Sequence, residues 1–401
     1  MRLVWRMAHH TTHLVHEAVG DDLEPVPAAA VIAMGMAALL IIGVAPDVFG
    51  ALVDEHRLSP GGLGLAAMLE LFSLALSTGL AGAFLKPERL RLVGAGAALG
   101  LAVLDCATAR ASGVQVFVVR AAAGVAEGLL LWITVGMIAR SRTPERWAAI
   151  FFTARVGSEL AAALAFAFAI IPRAGADGAF IAMGALSALA ALAAPLLPKR
   201  YGPLPVGEGQ GGLPPPRGLL ALLATVIFVS ANGAVAVYLQ PLAHRAGLGA
   251  DVARTAVWVS LAAQILGGAA ATALAGRVSY LPVFAVVSAA FLVVWTVFGL
   301  NPPPAGFIAA DALAGAVALL VGPFLVPMVI EADPTRRAAM QSAGAQALGG
   351  AAGPLLAAVV IGNRDVHGVL ALGAGLLLTG LALIAALHVM ARRNASGETA
   401  S

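Results

Sequence analysis

Long apolar runs separated by short polar stretches dominate this chain. Twelve of these runs reach roughly the 20 residues that an α-helix needs to cross a bilayer. Each run is predicted to be helical, because a segment in lipid must satisfy its own backbone hydrogen bonds. No stretch alternates with the period of a transmembrane strand, so a membrane barrel is not predicted. The predicted spans, with edges good to a few residues, are roughly 26–45, 62–85, 92–109, 113–139, 147–171, 177–197, 218–239, 252–275, 281–300, 305–329, 338–361 and 368–391.

Composition agrees with a protein that has lipid as its main solvent. The chain is 60% hydrophobic and 11% charged, whereas soluble proteins carry about 25% charged residues. No basic stripe interleaved with aromatic residues occurs, so nucleic acid is not a predicted partner. The single cysteine, Cys106, excludes an internal disulfide. The polar first 25 residues and the length of the first apolar run are not typical of a signal peptide.

The basic residues indicate an orientation. Of the 24 Lys and Arg residues, 16 fall on the side of the two termini and six fall on the other side. The remaining two, Arg120 and Arg155, lie within spans. Because Lys and Arg are enriched in cytoplasmic loops, both termini are predicted to be cytoplasmic, in the inner membrane of a bacterium.

A polar stretch rich in Pro and Gly, "PKRYGPLPVGEGQGGLPPPR", divides the spans into six and six and is predicted to be a linker. The halves also echo each other, since "TPERWAA" begins at Thr143 and "DPTRRAA" begins 190 residues later, at Asp333. Both stretches lie between the fourth and fifth spans of their half, which indicates a duplication of the kind found in transporters. The predicted organisation is a tail at 1–25, a six-helix bundle at 26–197, the linker at 198–217, a second bundle at 218–393 and a tail at 394–401.

Taken together, these features resemble the major facilitator superfamily. "RAAAGVAEG" is similar to that family's fourth-helix pattern, with Arg120, Gly124 and Gly128 at the matching positions. "TPER" resembles its loop between helices 4 and 5. The resemblance implies an all-α integral membrane fold of twelve helices in two pseudo-symmetric bundles. It also implies secondary transport by alternating access, with no cofactor.

The chain departs from the family in two places. In the loop between the second and third spans, "LKPERLR" keeps Lys86 and Arg89 but has Leu85 where the family has Asp. A charge-relay latch of the family's usual form is therefore not expected there. The fifth span reads "ARVGSELAAA" and lacks the Gly-Pro pattern typical of drug–proton antiporters, which lowers the case for drug efflux.

Ionisable residues inside the spans are few, and their spacing predicts partners. Arg120 and Glu127 are seven residues apart and share a face of the fourth span. Arg155 and Glu159 are four residues apart and share a face of the fifth. Because a short loop joins these two spans, all four residues are expected to form one buried network. The other ionisable residues within spans are Glu70, Asp105 and Asp311.

Two interpretations of these charges stay open. In one, the network only balances itself, with Arg155 and Glu159 as a structural ion pair. In the other, Arg120 faces a cavity and binds an anionic group of the solute, since its planar fork suits a carboxylate. A buried carboxyl group would then carry the proton. The proton-coupling candidates are Glu127, Glu159, Glu70 and Asp311.

Uncharged polar residues of the second half are further candidates for solute binding, although such groups more often bond a neighbouring helix. They are Asn232, Tyr238, Gln264, Gln341 and Gln346. In the tail, His9, His13 and His16 have a spacing that can bind a metal, but a tail this polar is more typical of a surface helix or of disorder. No His lies mid-membrane, so neither a metal site nor metal transport is predicted.

The sequence therefore favours a proton-coupled secondary transporter, acting as a monomer on a small organic solute that carries a carboxylate. The alternative is an exporter of amphipathic or aromatic compounds by proton exchange, because symport and antiport need no different residues. A membrane sensor with a transporter fold is a third reading, which the short tails disfavour. No ATP-binding motif occurs, and no nucleophile, His and carboxylate fall at one depth, so neither a primary pump nor an enzyme is predicted.

Overall fold

The computed structural model describes residues 24–204, 213–361 and 367–398, and these ranges are almost entirely helical. They contain thirteen α-helices. In chain order, the helices are α1 (Pro25–Asp54), α2 (Pro60–Phe84), α3 (Leu90–Thr108), α4 (Val114–Ile138), α5 (Pro144–Ala165), α6 (Ile171–Leu192), α7 (Pro216–Ala236), α8 (Leu239–Arg245), α9 (Ala250–Leu274), α10 (Tyr280–Gly299), α11 (Pro304–Ala332), α12 (Arg337–Ile361) and α13 (Gly368–Glu398).

Every predicted span overlaps one long helix, and the short helix α8 is an addition that the hydropathy pattern did not predict. Ten segments of the described chain are long and apolar enough to cross a membrane. One of them, Pro144–Leu196, has 53 residues and contains both α5 and α6. The chain is therefore a multi-pass helical membrane protein, while the count of twelve crossings and the orientation remain predictions.

Prolines and glycines explain where several helices begin and bend. Pro25, Pro60 and Pro144 occupy the first turns of α1, α2 and α5, where the missing N–H costs no helical hydrogen bond. Between α5 and α6 the chain runs through a π-helical turn, Phe166–Ile170. Gly175 then has φ of 60° and breaks the regular geometry, a conformation that a residue without a Cβ adopts at little cost.

Glycines also set the closest helix contacts, as expected where small residues let backbones approach. A Cβ at Gly124 of α4 would clash with the Glu70 carbonyl oxygen of α2, and one at Gly128 would lie 2.6 Å from the Leu74 carbonyl oxygen. In the second half, a Cβ at Gly267 of α9 would clash with the backbone of α11. The helix pairs α2–α4 and α9–α11 are consequently held at short range.

The two halves of the chain meet at the end of the molecule where α4 ends and α12 begins, which we call the gate end. Here the repeated loops face each other, and Arg336 Nη1 donates to the carbonyl oxygens of Ala139, at 2.8 Å, and Ser141, at 3.1 Å. A cation at the C-terminus of a helix such as α4 is favourable. Burial lowers the pKa of Arg336. The backbones of α2 and α12 also approach closely, since a Cβ at Gly82 would lie 2.9 Å from the Met340 carbonyl oxygen.

A second arginine reinforces the gate end. Arg140 Nε donates to the Gly202 carbonyl oxygen at 2.8 Å, and its Nη1 lies 3.3 Å from Met340 Sδ of α12. The guanidinium stacks 5.4 Å from the ring centroid of Tyr201, whose hydroxyl donates to the Ile133 carbonyl oxygen at 2.9 Å. Burial raises the pKa of Tyr201, so this donor keeps its proton at neutral pH. The gate end is thus closed in this structure.

Candidate functional site

Arg120 lies at the centre of a buried cluster of three carboxylates, which we call the acidic cluster. It makes a bidentate pair with Glu70 of α2, through Nε at 3.1 Å and through Nη2. Its Nη1 donates to Asp105 Oδ1 of α3 at 2.7 Å. Glu127, on α4 itself, places Oε1 3.5 Å from Nη2. One guanidinium therefore serves carboxylates from α2, α3 and α4.

The sequence brings these groups together through the glycines of α4. Gly124 and Gly128 follow Arg120 at intervals of four residues, so they lie on the same face of the helix. That face packs directly on α2 at Glu70 and Leu74. The motif that suggested the family resemblance therefore has a local physical reason, because larger residues would hold Arg120 away from Glu70.

The sixth helix closes the acidic cluster from the other side. Ser187 of α6 donates to Asp105 Oδ2 at 3.1 Å, and the Phe180 ring lies 5.6 Å from the Arg120 guanidinium carbon. A Cβ at Gly184 would lie 2.9 Å from the Ala102 carbonyl oxygen, so α3 and α6 approach closely. Asp105 thereby faces the protein interior although its helix also borders the surface.

Burial of the acidic cluster is complete. The exposed fraction is 0% for Arg120 and 1% for each of Glu70, Asp105 and Glu127. Each of the three guanidinium nitrogens of Arg120 has a carboxylate partner, whereas Glu127 Oε2 is buried without a hydrogen-bond partner among the described residues. In this conformation Arg120 is occupied by protein carboxylates, and its predicted contact with the solute stays a prediction.

Arg155 and Glu159 form a second, separate ion pair on α5, with Arg155 Nε 2.5 Å from Glu159 Oε1. The pair is asymmetric, because the exposed fraction of the side chain is 16% for Arg155 and 3% for Glu159. Glu159 packs against α1, where a Cβ at Gly43 would clash with its side chain. The Arg155 guanidinium lies 6.0 Å from the Phe152 ring.

The prediction that the four charged residues of α4 and α5 form one network is wrong. No described ion pair joins Arg120 or Glu127 to Arg155 or Glu159. The physical reason is that α4 presents Arg120 to α2 and α3, while α5 presents Glu159 to α1. A short loop joins α4 and α5, but their charged faces pack against different helices.

Asp311 of α11 is buried at 9% exposure and makes no ion pair with a described basic residue. The Ser260 hydroxyl of α9 donates to its backbone carbonyl oxygen at 2.9 Å. Within the described helices of the second half, Asp311 is thus the one buried carboxyl group, whereas the first half has three around an arginine. Asp333 is also buried but lies in the loop after α11. The predicted role of Asp311 in proton coupling remains untested.

The uncharged candidates Asn232, Tyr238, Gln264, Gln341 and Gln346 are all partly buried. Gln264 precedes Gly268 by one turn of α9, and Gly268 packs against Thr153 of α5. Gln341 precedes Gly344 by one turn of α12, and a Cβ at Gly344 would lie 2.9 Å from the Ala75 carbonyl oxygen of α2. Both amides therefore lie where the two halves of the chain meet, although no described hydrogen bond joins them to either ion-pair group.

Asp105 is the site residue to which the sequence analysis gave no role. It is an ionisable residue near the end of the third predicted span. The contact with Arg120 depends on how α3 packs, which spacing along one helix does not reveal. Among the described residues, no group of three or more His, Cys, Asp or Glu side chains is arranged to hold a metal ion. The tail histidines His9, His13 and His16 lie outside the described residues.

No protein-family model matches the chain, and no curated protein matches it by sequence. Solved structures do match. The human organic anion transporter MFSD10 (TETRAN) aligns with a TM-score of 0.71 at 15% identity, over 90% of this chain and 100% of its own.

Two sugar symporters give similar alignments. FucP in the outward conformation, a fucose:proton symporter of E. coli, aligns with a TM-score of 0.69 at 15% identity, over 90% of this chain and 99% of its own. The proton:xylose symporter XylE, bound to 6-bromo-6-deoxy-D-glucose, aligns with a TM-score of 0.66 at 12% identity, over 93% of this chain and 95% of its own. This chain therefore has the fold of the major facilitator superfamily transporters.

Proposed function

We propose that this protein is a proton-coupled secondary active transporter of the major facilitator superfamily that carries a small organic solute bearing a carboxylate. We further propose twelve crossings in two six-helix bundles, 26–197 and 218–393, with both termini in the cytoplasm of a bacterium. In this proposal the protein is a monomer, and the gate end is its cytoplasmic side. The halves rock about a central site, as the fold's alternating-access mechanism requires.

The observation that carries this proposal is the charge balance of the acidic cluster. If Glu70, Asp105 and Glu127 were all ionised, three negative charges would surround the single positive charge of Arg120. A net charge far from water is costly. The cluster is therefore expected to hold at least one proton, and a group whose proton occupancy depends on its surroundings is what a proton-coupled transporter needs.

Glu127 is the member of the cluster best suited to carry that proton. Glu70 accepts two bonds from the guanidinium, and Asp105 accepts from both Arg120 and Ser187. Glu127 is only 3.5 Å from the guanidinium through one oxygen, and its other oxygen has no described partner. Hydrogen bonds to a carboxylate stabilise its ionised form, so protonation costs least for the carboxyl group that accepts the fewest of them.

The solved structures support the same class of function. FucP and XylE are described as proton symporters, and MFSD10 is described as an organic anion transporter. At 12–15% identity, these proteins suggest a mechanism and a solute class without identifying the solute. The proposal that the solute carries a carboxylate rests on the two arginines within the predicted spans, Arg120 and Arg155.

The test is proton movement in proteoliposomes loaded with a pH-sensitive dye. Gluconate, succinate and hippurate are added outside, with fucose and xylose as neutral comparisons and protein-free liposomes as the permeation control. We expect a protein-dependent pH change with at least one carboxylate. Entry of protons with the solute indicates symport, and release of protons into the medium indicates the exchange mechanism of an exporter.

The variant Glu127→Gln is expected to abolish proton movement while solute-induced thermal stabilisation in detergent persists. The matched control is Glu24→Gln, because Glu24 is exposed at the start of α1 and makes no side-chain capping bond. Absence of any protein-dependent proton movement with all three carboxylates would overturn the proposed function. Full coupling in Glu127→Gln would remove Glu127 from the proton path.

A further inference from the structure

We propose that Arg155, rather than Arg120, binds the carboxylate of the solute, in the seam between the halves where α5 meets α9 and α11. The inference rests on the proposed function for its solute class, but it concerns binding and can be measured without transport. It assigns the two arginines of the membrane-spanning helices different tasks. Arg120 organises the acidic cluster, and Arg155 recognises the solute.

Arg155 has several hydrogen-bond donors that no described group uses. An arginine has five N–H donors in a planar fork. Arg155 uses only Nε, toward Glu159, and neither Nη nitrogen has a hydrogen-bond partner among the described residues. A charged group with unused donors in a membrane protein calls for a partner. A carboxylate fits the two free Nη groups as a bidentate pair, the strongest common arrangement for these groups.

Residues next to Arg155 on α5 contact the second half of the chain. Phe152, three residues before Arg155 and on the same face of α5, packs against α11, where a Cβ at Gly322 would lie 3.0 Å from its ring. Thr153 packs against Gly268 of α9. Residues two apart do not share a helix face, so Thr153 shows only that α5 borders the second half, while Phe152 places Arg155 beside the side of α5 that meets α11. The Arg155 side chain is 16% exposed.

A neutral polar residue of α9, Gln264, lies at a similar depth to Arg155. Gln264 lies four residues before Gly268, about 6 Å along α9, while Arg155 and Ser158 lie about 3 and 7.5 Å beyond Thr153 along α5. Gly268 contacts Thr153, and Trp258, earlier on α9, packs against Phe168, later in the chain than α5. The two helices therefore run in opposite directions, and Gln264 is level with the turn between Arg155 and Ser158. Its amide makes no described hydrogen bond, so it can contact a solute at this depth from the α9 side, whereas Arg155 lies on another face of α5.

Glu159 neutralises the charge of Arg155 when no solute is bound. The neighbouring Gly43 leaves room for it against α1, and it holds Arg155 Nε. The empty pair is formally neutral, so an incoming carboxylate shares the guanidinium with Glu159. Removing the Glu159 charge should therefore strengthen carboxylate binding, provided that Arg155 remains. This result is the opposite of what a purely structural ion pair would give.

The test is thermal stabilisation of the purified full-length protein in detergent by gluconate, succinate and hippurate, each compared with its amide. We expect a carboxylate to stabilise the wild type more than its amide does. Arg155→Gln should weaken the apparent affinity about tenfold or more, the size of a charged hydrogen-bonded contact. Arg155→Lys should lose less, because it keeps the charge but not the fork, and Glu159→Gln should bind more tightly than the wild type. The control is Arg146→Gln, since Arg146 is on the first turn of α5 and is exposed.

The outcomes separate this inference from the proposed function. Carboxylate stabilisation that survives Arg155→Gln, or that weakens in Glu159→Gln, would overturn the assignment to Arg155. Stabilisation by none of the carboxylates, with proton-linked transport of fucose or xylose, would also overturn it while leaving a proton-coupled transporter. Binding that needs Arg155 in a protein that moves no protons would support the site and contradict the coupling.

Discussion

Arg120 and Arg155 are both arginines in membrane-spanning helices with a carboxylate on the same helix, yet their surroundings differ. Arg120 is fully enclosed, and its partners come from three helices of the first half. Arg155 keeps 16% of its side chain exposed and has one carboxylate partner, one turn away. The partners of Arg120 leave its guanidinium no donor for a ligand. Arg155 keeps four N–H groups that a ligand can use.

This difference shows how one fold can separate two tasks that a charged residue performs in a membrane. A charge surrounded by an excess of carboxylates inside one half can store a proton without opening to solvent. A charge at the border between halves can meet a solute when the halves move. Substitutions at each arginine and at the groups around it test that division of tasks.

The first prediction concerns stability. Arg120→Gln should destabilise the protein by about 3–5 kcal/mol, because it leaves buried carboxylates without their counter-charge. Arg155→Gln should cost about 1–2 kcal/mol, since it removes one pair at a partly exposed site. Apparent melting temperatures in detergent compare the two variants. The double variant Glu70→Gln with Arg120→Gln should recover part of the loss, and equal losses for the two arginines would contradict the comparison.

The second prediction concerns the glycines that position each arginine. Gly124→Ala should cost about 1–3 kcal/mol, because the new methyl group meets the Glu70 backbone, which cannot move aside. Gly43→Ala should also destabilise the protein, since its nearest obstacle is the Glu159 Cβ, and it should in addition alter carboxylate affinity by displacing Glu159 from Arg155. The control is Gly100→Ala, whose Cβ would have open space. Melting temperature and carboxylate affinity, measured together, distinguish the two positions.

The third prediction concerns the gate end and has the smallest expected effect on stability, about 1 kcal/mol. Arg336 has φ of 61°, a conformation that Asn tolerates, so Arg336→Asn removes the side chain without adding backbone strain. Losing the bonds to Ala139 and Ser141 should lengthen the distance between spin labels on exposed positions 86 and 277, with Cys106→Ser as the background. Lys199→Ala is the control. An unchanged distance distribution would show that Arg336 does not hold this end closed.

Much of the fold could be predicted from the chain alone. Hydropathy located every long helix, because twenty apolar residues in a row have few other stable solutions in lipid. The i, i+4 spacing of Arg155 and Glu159 also anticipated their pairing. The membership of the acidic cluster could not be predicted from helix faces and loop lengths, because it depends on how α2, α3 and α6 pack around α4.

The departure from the family's loop motif illustrates the same limit. Because Leu85 replaces the Asp, the usual latch is not expected, but nothing in that loop indicated what closes the gate end instead. The closing contacts come from Arg336 and Arg140, which lie 196 positions apart and meet only when the repeated loops face each other.

The sequence by itself determined that this is a helical membrane protein, where its helices lie and which few charges they bury, because transfer of apolar and charged groups into lipid is a local property of each segment. Only the tertiary structure decided which carboxylates share Arg120 and which arginine keeps free donors. Those outcomes depend on contacts between segments far apart in the chain, and glycines such as Gly124 and Gly43 set them by allowing two helices to approach.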